Sequence, residues 1–67
     1  MPHESLQRYL RLAGARVSRA ALASWTTEQR YEAYRWAMTL MDDLPEYRRL
    51  DRMPAHVAAA HAKGKAR

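Results

Sequence analysis

Residues 24–38 read SWTTEQRYEAYRWAM, and the fold turns on how this stretch is read. Thr26, Thr27, Glu28 and Gln29 match a capping box, with a hydroxyl at the N-cap and a glutamine three residues on. Glu28 falls in the first turn, where the positive end of the helix dipole favours a carboxylate. The spacing predicts a helix from Thr27 to about Asp42. Leu44-Pro45 stops it, because the residue before a proline avoids helical backbone. On a helical wheel, Ala33, Trp36, Ala37, Leu40 and Leu44 form one apolar stripe. Tyr31, Tyr34, Met38 and Met41 form a second, offset stripe, and Glu28, Glu32, Arg35 and Asp42 share the remaining arc. A helix apolar over most of its circumference is buried on more than one side. One stripe is therefore expected to make the fold and the other to meet another chain.

Upstream of this helix, Leu6, Leu10, Ala13, Val17, Ala20 and Ser24 follow alternating steps of four and three, starting near Pro2 or His3. At about 100° per residue they share a face, with Arg8, Arg11, Arg16 and Arg19 roughly opposite. Gly14 interrupts the pattern, since glycine costs about 1 kcal/mol relative to alanine inside a helix. Two readings stand: one long amphipathic helix, or a break at Gly14 with Ser18 capping a second, short helix. The break is favoured, because a continuous helix strands Leu12 among the arginines. Downstream, PEYRRLDR can make one or two turns from Pro45, and Pro54 opens a short helix, AHVAAAHAK, ending at Gly64. With few glycines, few β-branched residues and no alternating pattern, the chain is expected to be all-α: a small helical bundle or hairpin with short C-terminal helices. Residues 1–62 read as one domain and residues 63–67 as a basic tail.

A chain of 67 residues without cysteine buries only about 60% of its unfolded surface, and it has no disulfide to help. Homodimerisation is the expected aid. The absence of cysteine suits a reducing cytoplasm, and no apolar run is long enough to span a membrane. The formal charge of +5 favours acidic partners. Arg48, Arg49 and Arg52 add a local basic cluster.

No catalytic, cofactor or metal constellation stands out. Ser18 and Ser24 lack a histidine and acid pattern and read as caps. Asp42-Asp43 are adjacent on a helix and point apart. His56 and His61 are five residues apart, whereas helical metal pairs use four, so both read as solvent-facing. The stretch LRLAGARVSRAALASW can also be read as a helix-turn-helix, with the turn at Val17-Ser18. Leu12, Ala15, Val17, Leu22 and Trp25 would then point inward, and Arg16, Arg19 and Ser24 would face a DNA groove.

Three features are similar to a family of small early or accessory proteins of temperate bacteriophages. They are the helix start from Trp25 to Arg30, the pair Trp36-Ala37, and the segment Pro54 to His56. The resemblance covers about residues 24–61. It implies a host-takeover protein that occludes a host protein rather than an enzyme. Quorum-sensing transcription activators and type IV pilus motor ATPases are the candidate targets, with CRISPR surveillance complexes or RNA polymerase as others. It implies no particular site residues. From the residues themselves, Tyr31, Tyr34, Trp36 and Met38 are expected at a chain–chain contact, with Arg8, Arg16, Arg19, Arg48 and Arg49 steering an acidic target surface. A small DNA-binding regulator is the alternative.

Overall fold

The computed structural model describes residues 2–40 and 53–65, with Lys65 by its backbone alone. The described residues form four helices and no strand: α1 (His3–Leu12), α2 (Arg19–Ser24), α3 (Thr27–Leu40) and α4 (Ala55–Lys65). The expectations for Met41 to Arg52 fall outside the described residues. They include the helix end at Leu44-Pro45 and the turns of PEYRRLDR.

The helix break is at Gly14. α1 ends in a Schellman motif, in which the Gly14 N–H bonds to the Arg11 carbonyl at 3.0 Å and the Ala15 N–H to the Leu10 carbonyl at 2.8 Å. Gly14 sits at φ 93°, a left-handed conformation that glycine adopts without a Cβ penalty. Ala15 and Leu10 are both fully buried, so the motif carries its usual apolar contact. Ser18 then caps α2, its Oγ accepting from the Ala21 N–H at 3.1 Å. The break does not rescue Leu12, which closes α1 and stays 67% exposed. It does dissolve the arginine face of the continuous-helix reading. Arg19 turns back to meet Glu4 at 2.9 Å, at the opposite end of α1.

The boundary at Thr26 is the capping box itself. Thr26 Oγ1 accepts from the Gln29 N–H at 3.1 Å, and Gln29 Oε1 accepts from the Thr26 N–H at 2.9 Å. Arg30 closes the other side of this corner. One of its guanidinium nitrogens donates to the Leu22 carbonyl at 3.1 Å and to the Trp25 carbonyl at 2.6 Å. The open C-terminal carbonyls of α2 are thus capped by a cation from the next helix.

α1 packs against α2 and α3. The core joins Leu6 and Leu10, the loop residues Ala15 and Val17, Leu22 and Trp25, the α3 stripe Ala33, Trp36, Ala37 and Leu40, and Val57 of α4. No buried polar side-chain atom among the described residues lacks a partner. α4 is fastened by its two histidines. His56 Nε2 donates to the Gln29 carbonyl at 2.8 Å, and its ring meets Trp25 edge to face at 4.6 Å. His61 Nδ1 accepts from the Arg16 backbone N–H at 2.9 Å, so its proton in the neutral form sits on Nε2. Both rings are partly buried, which corrects the solvent-facing reading. The five-residue spacing aims them at different elements. Gly64 lies within α4, which runs on to Lys65 through the start of the expected tail. A Cβ on Gly64 would stand 2.7 Å from the Arg16 carbonyl oxygen, so glycine is what lets α4 approach the loop.

Candidate partner-binding surface

α3 buries its first stripe and leaves most of the second to solvent. Trp36 belongs to the first. It is only 6% exposed, seated in the chain's own core beside Ala33, Ala37 and Leu40, so it is no exposed anchor and reaches the surface only as part of a cleft wall. The correction follows from position, because Trp36 is three residues from Ala33 and four from Leu40 on the inward face. Tyr31 is 61% exposed, Met38 is 36% exposed, and Tyr34 is half-buried.

Three tyrosines form a ladder across α1 and α3. Tyr9 and Tyr34 have ring centroids 5.8 Å apart at an interplanar angle of 59°. Tyr34 and Tyr31 lie 6.4 Å apart at 26°. The Arg35 guanidinium carbon sits 5.9 Å from the Tyr31 centroid, within cation–π range. Met38 stands one turn beyond Tyr34 on the same side of α3. The innermost ring, Tyr9, packs against the core and anchors the ladder. Tyr31 at the outer end is a ridge between two clefts. One, of about 280 Å³, is lined by His3, Leu6, Thr27, Arg30 and Tyr34. The other, of about 530 Å³, is lined by Glu28, Glu32, Arg35, Trp36 and Thr39. A ring held on one side and flanked by concavities can enter a pocket of a partner while the clefts receive the partner's side chains. Tyr, Met and Arg are the residue types enriched at such contacts.

Of the expected arginines, the three that are described, Arg8, Arg16 and Arg19, are exposed but do not line the clefts beside this ladder. Arg19 is held by Glu4, a surface pair worth less than about 1 kcal/mol. Arg48 and Arg49 lie outside the described residues. Tyr9 and Arg35 belong to the ladder, and the sequence reading missed both. Tyr9 could have been found from its place three residues after Leu6, beside the α1 stripe. Arg35 could have been found from its spacing of four from Tyr31.

Among the described residues, no three His, Asp or Glu side chains gather as a metal site, and no helix is long and apolar enough to cross a membrane. Of the helix-turn-helix inward set, Ala15, Val17, Leu22 and Trp25 are buried and Leu12 is not. The would-be recognition helix, α2, is six residues long. No protein-family model, no characterised protein and no solved structure matches the chain.

Proposed function

We propose that the chain is a protein-binding inhibitor that works by covering a surface of its target rather than by catalysis. The supporting observation is the ladder Tyr9–Tyr34–Tyr31 with Arg35 at its outer end, displayed beside a core that the other stripe of α3 already joins. An exposed tyrosine braced by a second ring loses little freedom on binding, and aromatic anchors of this kind hold complexes together. The resemblance to small bacteriophage host-takeover proteins supplies the target class. The target is a regulatory or motor protein in the cytoplasm of a bacterial host, such as a quorum-sensing activator or a pilus motor ATPase. An anti-CRISPR role is a variant of the same mechanism. Self-association through the Tyr31–Met38 face would place a second copy where the target otherwise sits.

The test is a tagged pull-down from bacterial lysate, with and without nuclease, read by mass spectrometry beside sedimentation of the purified chain. One host protein retained in stoichiometric amount, and lost with Tyr31→Ala or Met38→Ala while helical circular dichroism is kept, supports the reading. A dimer dispersed by the same two substitutions moves the ladder to self-association. Retention that vanishes with nuclease rejects the inhibitor in favour of a DNA-binding regulator. That second reading draws support from the Ser18 cap and from the buried residues Val17, Leu22 and Trp25. It requires a steep salt dependence that weakens with Arg16→Ala.

A further inference from the structure

We propose that a second surface, the groove between α4 and the loop from Ala13 to Ser18, binds an acidic peptide segment bearing apolar side chains. The groove has a volume of about 690 Å³. Its walls come from α1, the loop, α2 and α4. Arg11, Arg16 and Lys63 stand at its rim, and Ala15, Ala21 and Ala60 make its small apolar floor. Among the described residues that line it there is no carboxylate. The side chains of the three cations make no ion pair among the described residues, where the one salt bridge is Arg19 with Glu4. Three positive charges lining one groove, with no counter-charge among the described residues, are complementary to an anionic occupant.

The floor and walls select among anions. A single-stranded nucleic acid is held by basic side chains together with aromatic rings on which bases stack, and among the described residues no aromatic one lines this groove. A duplex needs a convex element that enters its major groove. Here the surface is concave, and Arg19 of the neighbouring α2 is held by Glu4. An acidic peptide matches both parts: carboxylates meet the rim, and leucine-sized side chains rest on the alanine floor. Gly64 and Arg16, whose backbones approach closely, both line it, so the groove belongs to the folded chain rather than to one helix. It is separate from the tyrosine ladder, and its failure would leave the ladder untouched.

The experiment is fluorescence anisotropy of the full chain with a fluorescein-labelled peptide of repeating Asp-Leu-Glu units. Arg16→Glu and Lys63→Glu are each expected to weaken binding by about tenfold, with Arg11→Glu as a third variant. A charge-matched control, Ala23→Glu with Ala55→Glu, adds the same negative charge at exposed positions away from the groove and is expected to bind within about twofold of the parent chain. Circular dichroism confirms that each variant is folded. Four results would each overturn the proposal: no binding of the peptide, equal weakening by the control, undiminished binding when serines replace the leucines, or tighter binding of a single-stranded oligonucleotide.

Discussion

The chain changes direction twice before α3, and the two corners are held by different means. The corner at Trp25-Thr26 is capped by residues within eight positions of one another, Thr26 with Gln29 and Arg30 with Leu22 and Trp25, and α4 touches it from outside through His56 on the Trp25 ring and the Gln29 carbonyl. The corner from Ala13 to Ser18 starts locally, with the Schellman motif and the Ser18 cap. It is then fastened from far away, by His61 to the Arg16 N–H and by the bare α-carbon of Gly64 against the Arg16 carbonyl. Local corners are set by capping chemistry. The distant one depends on a docked helix, so its integrity reports on tertiary structure.

Hydrogen exchange at two amides, Arg16 and Gln29, can break or sharpen this contrast. The largest effect is expected from Gly64→Ala. Its Cβ would press on backbone, and we expect destabilisation of about 1–3 kcal/mol, measured by thermal unfolding, with loss of protection at the Arg16 amide and none at Gln29. Equal loss at both amides would mean that the corners unfold as one unit. Next comes Arg30→Met, which removes a charged donor from two carbonyls and should cost about 1.5 kcal/mol. Denaturant unfolding checks it, and an unchanged midpoint would show water capping α2 equally well. The smallest effect is expected for Thr26→Ala, about 1 kcal/mol, with faster exchange at Gln29 and an unchanged Arg16 amide.

Those differences also explain how much was legible in advance. Thr26 with Gln29, Ser18 with Ala21 and the helix start after Pro54 follow from spacings of three or four residues, and a sequence displays these directly. Both stripes of α3 were visible for the same reason, but not which of them faces inward, and Trp36 of the buried stripe was counted among the contact residues. The break at Gly14 was legible, but through the wrong residue: Leu12 stays in solvent, and the glycine's left-handed backbone is what ends α1. The histidines were misread because both of their partners are backbone groups. The carbonyl of Gln29 and the N–H of Arg16 have no side-chain signature. The ladder was half legible. Tyr31 and Tyr34 share a stripe, but Tyr9 reaches them only through the packing of α1 on α3. Arg11 and Lys63 came together for an equally non-local reason, the docking of α4.

The bond from Arg16 to His61 joins residues 45 positions apart, and contacts of such separation form late, after nearer ones have reduced the cost of closing the chain. The tyrosine ladder uses only residues 9 to 35, whereas the basic groove is completed by residues 60 to 64. The two surfaces therefore draw on different lengths of the chain. A chain still lacking α4, or clipped before residue 53, retains all the rings of the ladder and loses one wall of the groove.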